Sequence, residues 1–505
     1  MRRRKEQGLA LVWLGLTLVL LIGMAGFATD LGWLYLNTSR AQKAVDSAAL
    51  AGVVNLPGFP LLAESDAKDA ARANGYDPDG ADTLIVTPLS EDRLHAELHT
   101  RIDTFFLKVL GFDHFDITRE ATSEYLKPIP LGSPNPCFGQ DGNGEICTAN
   151  PTDFWAAVSA PFTRKEDGDP FSTQCNPNAS PSSCAGPNPD FNRGPGGYNG
   201  YYYGVEVPDG SANLTVAIYD ARFDQRPNYP NVETADSVLS SPAGPNPGVT
   251  THFQLHAVDT SPSDPTNNPA ISGCAMDLDP DADPGVVSPE TNQWVTLCSV
   301  GSPIEGIYML HVWSSGEGSG TNQFAIGATT STSPQPRVYG INDMSIFSNR
   351  LTPGSPSQLY LAEIEEAHAG KKLELEFFDA GDAQGHSEMH VRDPFGNIPP
   401  NCTYEIWNHD QSSLLGTGNG CSWVTSDPGG AGIQIFNNQW IKALIDLPDD
   451  PEAMCNEALG EDLECFWHME LALSQPNERT TWRARVIGNP VRLIPDPEPE
   501  PEPGP

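Results

Sequence analysis

Four aspartates at alternate positions, Asp277, Asp279, Asp281 and Asp283, occupy a Pro-broken loop between Cys274 and Cys298. Carboxylates spaced in this way can converge on a hard cation, and calcium accepts several flexible oxygen ligands. A solvated acidic loop accounts for the same residues, so both readings stay open. Asp141-Gly142-Asn143-Gly144-Glu145 also offers oxygen atoms at every second position, but it lacks the long layout and distant Glu of an EF-hand loop.

Asp259-Thr260-Ser261-Pro262-Ser263 satisfies a pattern in which one Asp and two Ser hold a divalent cation, although that motif belongs to alternating strand-helix sheets and this region is β-rich. Asp220 with Asp224, and Asp379 with Asp382, end two similar strands and read as turn formers before calcium ligands. His386, Glu388 and His390 fall on one face of an expected strand, where two imidazoles and a carboxylate could take a transition metal. An exposed polar strand face explains that triad equally well. No cofactor other than calcium is indicated.

Residues for catalysis are harder to find. No GxSxG elbow, HExxH helix, P-loop or GxGxxG strand-turn-helix occurs, and we expect no enzyme. Tyr198, Tyr201, Tyr202 and Tyr203 follow a Gly-rich turn and could stack on sugar rings, which makes glycans a candidate partner. On a strand, Tyr201 and Tyr203 share one face and Tyr202 takes the other, so part of the cluster belongs to a core.

Ten cysteines fall as neighbours in sequence: Cys137 and Cys147, Cys175 and Cys184, Cys274 and Cys298, Cys402 and Cys421, Cys455 and Cys465. An even number beyond an apolar N-terminal run reads as local disulfides in an oxidising compartment, with connectivity left open by spacing alone. No CxxC pair supports zinc. A net charge of −38, with no basic patch after Lys5, excludes nucleic acid as a partner.

The elements that must position these residues begin at the N-terminus. Arg2-Arg3-Arg4-Lys5 precedes an uncharged apolar run from Leu9 to Thr29, long enough to cross a bilayer as one helix. The basic cluster predicts a cytoplasmic N-terminus, with the bulk of the chain from Asp30 onward extracytoplasmic. The run exceeds a signal-peptide core, so a retained single-pass anchor in the cell membrane is expected. Helical spacing continues through Leu34, Ala41, Val45 and Ala48, with Arg40, Lys43 and Asp46 on other faces, until Asn55-Leu56-Pro57-Gly58.

The Arg-rich start, Gly8, the apolar run, Asp30-Leu31-Gly32, Tyr35 and the stretch Ala41-Gln42-Lys43-Ala44-Val45-Asp46-Ser47-Ala48-Ala49-Leu50-Ala51 resemble the Tad domain of TadG-like Flp pilus-assembly proteins. The resemblance implies a pilin-like stem, half in lipid and half packed on a small domain. It also implies a non-enzymatic component of a Tad/Flp-type pilus assembly or secretion system, whose partners are the membrane and other pilus-assembly or cell-surface proteins. An anchored surface adhesin or glycan-binding protein is the alternative, and an exported hydrolase comes third.

The fold class expected is α+β: segment, transmembrane helix and stem over 1–58, then a small α+β domain over 59–127. In the latter, a helix from Leu61 to Ala73, strands near 84–86 and 94–98, a helix from Asp103 or Thr104 to Gly111, and a strand over Phe115 to Tyr125 are predicted. A Pro-rich linker covers 128–136. Beyond it, 47 Gly and 47 Pro in the 505 residues punctuate short alternating segments of antiparallel, jelly-roll-like sandwich type. Six segments recur in one order, among them Leu214 to Ala221 echoed by Leu373 to Ala380, and Asn292 to Val295 echoed by Asn438 to Ile441. Two tandem β-sandwiches, 137–332 and 333–493, are therefore predicted, followed by a disordered Pro/Glu-rich tail over 494–505.

Overall fold

The computed structural model describes residues 3–56, 60–90, 93–125, 129–139, 154–160, 163–165, 168–172, 188, 200–224, 235–238, 249–259, 265–278, 293–316, 320–348, 356–380, 386–426, 435–460, 463–473, 478–487 and 491–494. Two compact units divide the chain, one formed by 1–127 together with 489–505 and the other by 128–488.

The first unit is built on one long helix, α1 (Arg3–Val53), followed by α2 (Pro60–Ala73) and strands β1 (Thr83–Pro88), β2 (Arg93–Asp103) and β3 (His114–Tyr125). No proline interrupts α1, and its apolar N-terminal half leaves side chains such as Leu14 and Val19 about two-thirds exposed. Beyond Asp30 the helix changes partner. Ala41, Ala44, Val45, Ala48, Ala49 and Val53 form a stripe at three- and four-residue spacing that is wholly buried against α2 and the sheet. Small side chains are needed here because the backbones approach closely: a Cβ added to Gly52 would lie 2.8 Å from the carbonyl oxygen of Ala63. The stripe meets Ala63, Ala67 and Ala71 of α2 and Leu84, Leu94, Ala96 and Leu98 of the sheet.

Two features of this unit differ from the sequence expectation. The helix expected over 103–111 is a single 3-10 turn, Leu107–Leu110, because β2 continues to Asp103 and Thr104 spends its hydroxyl on the carbonyl oxygens of Phe112 and Asp113. The strand Val491–Ile494, placed by sequence in the second sandwich and its tail boundary, pairs antiparallel with β3 and completes the order β1-β2-β3-C-terminal strand.

In the second unit, antiparallel strands dominate, and we number those used below as β4 (Trp155–Ser159), β5 (Tyr201–Val207), β6 (Leu214–Asp220), β7 (Val249–His256), β8 (Ala270–Leu278), β9 (Trp294–Val300), β10 (Gly306–Gly316), β11 (Gly320–Thr329), β12 (Arg337–Gly340) and β13 (Asp343–Ser348). They continue as β14 (Ser357–Glu363), β15 (Lys372–Phe378), β16 (Ser387–Arg392), β17 (Cys402–Asn408), β18 (Leu414–Asn419), β19 (Ser422–Ser426), β20 (Gln439–Asp446), β21 (Phe466–Leu473) and β22 (Glu478–Ile487). One sheet has the order β8-β7-β10-β5-β12 and another β14-β21-β16-β19. A long third sheet runs β9-β6-β11-β4-β13-β22-β15-β20-β17-β18 and backs both.

Aromatic side chains fill the space between layers. Phe324 of β11 meets Tyr203 of β5 and Phe253 of β7 edge-on, at centroid separations of 5.8 and 5.3 Å. On the other side Phe377 of β15 lies 6.1 Å from Trp423 of β19, and the Trp482 indole N–H donates to the Leu361 carbonyl. The long sheet repeats itself in reverse about its centre: β6 pairs with β9 through Tyr219 and Trp294, as β15 pairs with β20 through Phe378 and Trp440. At the centre, β4 and β13 pair with each other through Trp155 and Phe347.

Residues 129–136, read from sequence as a stiff linker, are tied into this unit. Leu131 is fully buried and exchanges two backbone hydrogen bonds with Gly340, and the Pro130 carbonyl accepts from the Glu363 N–H. Gly200, just before β5, has φ +60, and a Cβ there would lie 1.8 Å from the Val312 carbonyl oxygen. Gly200→Ala is expected to destabilise this unit by about 2–3 kcal/mol, through strain and forced separation of β5 from β10, read as a lower denaturation midpoint.

Candidate functional site

Three residues of α1 at helical spacing, Gly26, Asp30 and Trp33, make a notch at the C-terminal end of the apolar run. Asp30 is buried, and its carboxylate accepts the backbone N–H groups of Phe105, Phe106 and Leu107 at 2.9, 2.9 and 2.6 Å. Trp33 packs on Phe105 with ring centroids 5.5 Å apart. A Cβ on Gly26 would come within 2.8 Å of the Phe106 ring, so the absence of a side chain lets the loop sit against the helix. Sequence reasoning offers Asp103 or Thr104 as the cap of this turn; the cap is an aspartate 75 residues away from Phe105 in the chain. A lone Asp closing an apolar run was the available signal.

Asp30→Ala leaves three backbone donors without their acceptor. Amide exchange at 105–107 is expected to accelerate at least about tenfold while α2 and β2 keep their protection, measured by hydrogen exchange on the solubilised chain.

The same unit holds a second buried carboxylate, Glu124, between two chain segments far apart in sequence. Glu124 of β3 takes Arg93 of β2 on one oxygen, at 2.9 and 2.8 Å, and Arg492 of the C-terminal strand on the other, at 2.7 and 2.5 Å. Burial alone would raise this carboxyl, but Arg492 and Arg93 together hold it below the ordinary glutamate range.

Residues singled out for metal chemistry fall as follows. Asp277 lies within β8 opposite His252, whose Nδ1 is 2.7 Å from its carboxylate, whereas Asp279, Asp281 and Asp283 lie outside the described residues, as does Asp141 to Glu145. Asp379 has φ +54 and accepts the N–H of Asn438, 59 residues on, at 2.6 Å, a contact between the adjoining ends of paired β15 and β20. His386, Glu388 and His390 do meet. Glu388 lies 3.0 Å from His386 and 3.4 Å from His390, and His390 turns its Nδ1 to Ser422 Oγ at 2.7 Å. Among the described residues no group of three or more His, Cys, Asp or Glu side chains is arranged to hold a metal ion.

Disulfides join Cys274 to Cys298, Cys402 to Cys421 and Cys455 to Cys465. Cys137 is also disulfide-bonded, and Cys147, Cys175 and Cys184 lie outside the described residues.

A pair of carboxylates that could suggest acid-base chemistry sits on β15. Glu374 is bonded by Arg485, and Glu376 by Lys442 at 2.7 Å and Arg483 at 2.6 Å. Burial pushes Glu376 up, but Arg483 and Lys442 outweigh it and hold the carboxyl low, the opposite of what a general acid requires.

Of the tyrosine cluster, Tyr201 and Tyr203 are core, and Tyr202 starts a row of rings on the outer face of β5, β10 and β7. Tyr202 stacks on His311 at 4.4 Å, His311 on Trp313 at 4.4 Å, and Trp313 on His252 at 4.9 Å. The two histidines and the tryptophan, drawn from β7 and β10, escaped the sequence reading, which had only the contiguous tyrosines to work from. The inner rings, His311 and Trp313, each stack on two neighbours, and the end rings, Tyr202 and His252, each stack on one.

Among solved structures, the chain aligns with the N-terminal CBM22-1-CBM22-2 tandem domain of Paenibacillus barcinonensis Xyn10C at 9% identity, covering 81% of this chain and 91% of that one, with a TM-score of 0.14. It aligns with the M60 catalytic domain with CBM51-1 and CBM51-2 of Clostridium perfringens ZmpB at 8% identity, over 81% and 44% of the two chains, TM-score 0.13. The Macrobrachium rosenbergii nodavirus gives 9% identity over 80% and 94%, TM-score 0.11. Superpositions at these scores do not establish a shared fold. No curated protein matches the chain. Residues 8–55 match the family model Tad, described as "Putative Flp pilus-assembly TadE/G-like". They span the apolar run, the Asp30 notch and the buried alanine stripe of α1, and the chain therefore carries a TadE/G-like Tad domain at its N-terminus.

Proposed function

We propose that this protein is a non-enzymatic, membrane-anchored component of a Tad/Flp-type pilus assembly or secretion system. Its anchor is α1, with the N-terminus cytoplasmic, and the β-sandwich modules within 128–488 are displayed outside for contact with pilus parts or surface proteins. The observation that carries the reading is the coincidence of the Tad match with a helix whose first half is apolar and bare and whose second half is built into a small domain. Disulfides support the oxidising side for the modules. The basic residues before the run support the orientation. Glu374 and Glu376, each neutralised by cations, favour a binding over a hydrolytic role.

Deleting this chain in its own host should abolish assembly of surface fibres or of the secretion machine, with recovery by the full chain but not by a version lacking residues 3–53. Unchanged fibres would overturn the reading. Retention of the full chain on glycan resins, with fibres intact, would favour the adhesin reading instead.

A further inference from the structure

Among the described residues outside α1, large exposed apolar side chains are most concentrated in the loop docked on the Asp30 notch. Phe105, Phe106, Val109, Leu110 and Phe112 are 57, 51, 87, 73 and 56% exposed within eight residues. A water-facing domain rarely leaves so much apolar surface in one place without a partner. We propose that residues 105–112 are a second membrane contact, riding on α1 and burying these side chains among the lipids at the boundary of the bilayer that α1 spans. The proposal rests on the transmembrane reading of α1.

Three observations select lipid as the occupant. The first is depth. Phe106 packs at Gly26, which precedes Asp30 by four residues and so lies about 6 Å farther along the helix axis, inside the apolar run that ends at Thr29. The second is charge. In a chain of net −38, Phe105-Phe106-Leu107-Lys108-Val109-Leu110-Gly111-Phe112 has no acidic residue and one lysine, whose stem can lie along lipid while its ammonium reaches the phosphates. The third is backbone satisfaction. Asp30 takes the amides of 105–107, and the Val109, Gly111 and Phe112 N–H groups donate to Phe106, Lys108 and Leu107 carbonyls. A segment leaving water needs its amides bonded internally in this way.

The test uses the full disulfide-bonded chain in liposomes, with one added cysteine at a time carrying an environment-sensitive fluorophore. Leu110→Cys reports the loop, Leu20→Cys the middle of the apolar run, and Asp69→Cys the exposed surface of α2. The label at 110 is expected to shift to the blue and to be quenched by lipids bearing a nitroxide near the headgroup. The label at 20 should be quenched best by deep nitroxides, and the label at 69 by neither. If position 20 is quenched while 110 behaves like 69, the anchor stands and the loop proposal falls. A blue-shifted but unquenched label at 110 would mean that protein covers the loop, which also overturns it. An unquenched label at 20 removes the transmembrane reading and the loop proposal with it.

Discussion

Removing residues 489–505 is expected to unfold the small domain that holds the stem, even though the deletion lies at the far end of the chain. The C-terminal strand supplies the outer partner of β3, and Val491 packs on the domain core. Arg492 supplies half the neutralisation of buried Glu124. Breaking a buried ion pair from one side costs about 3–5 kcal/mol, because the surviving charge is left without compensation. Arg492 is 36% exposed on its side chain, which places Arg492→Ala alone near the lower end, and the deletion adds the lost strand. Protease cleavage and hydrogen exchange over 60–125 in the solubilised chain would read the effect. Unchanged protection in the deletion variant would show that β3 does not need its C-terminal neighbour. The pH dependence follows from the same contact. Glu124 titrates below its ordinary value of 4.5 when folded, so its stabilisation is complete above that value and is lost as pH falls through the folded pKa. Acidification should therefore weaken the wild-type domain, and Arg492→Ala should flatten that acid dependence.

What was legible in the sequence is whatever is written in local pattern. The apolar run, the alanine stripe of α1 and the alternating strands follow from hydrophobic period, which one segment carries by itself. Partners distant in the chain leave no such trace. Val491 to Ile494 alternates like any strand, and nothing in it reveals that its neighbour is β3, with Arg492 and Glu124 separated by 368 residues. Asp30 looks like the polar end of a span, and its role as a cap depends on a loop brought to it by β2 and β3. The row from Tyr202 to His252 is assembled by strand register between three strands that sequence lists far apart. Asp279, Asp281 and Asp283 lie outside the described residues, and their cation chemistry stays where sequence placed it, as an expectation.

Trp155→Ala is expected to cost the second unit about 3–5 kcal/mol, the range for emptying a fully buried large aromatic site. Trp155 has no exposed surface, and its ring lies 5.9 Å from that of Tyr219, which in turn contacts Trp294. Across the seam, Phe347 is its register partner and belongs to the same buried cluster, with Ala157, Ala221 and Ala325. Cooperative unfolding requires that strands on one side of β4 and β13 sense the loss of strands on the other, and the strand pairing there is short, confined to Ile346 with Ala156 and Phe347 with Trp155. Side-chain packing must therefore supply much of the coupling. Denaturant unfolding of the full chain should show a lower midpoint for Trp155→Ala and a transition that broadens or splits. Phe377→Ala, which empties a comparable site between β15 and β19, should lower the midpoint while leaving the seam closed. If the two variants unfold with the same sharpness, the seam transmits nothing and the two sandwiches are held together by other contacts.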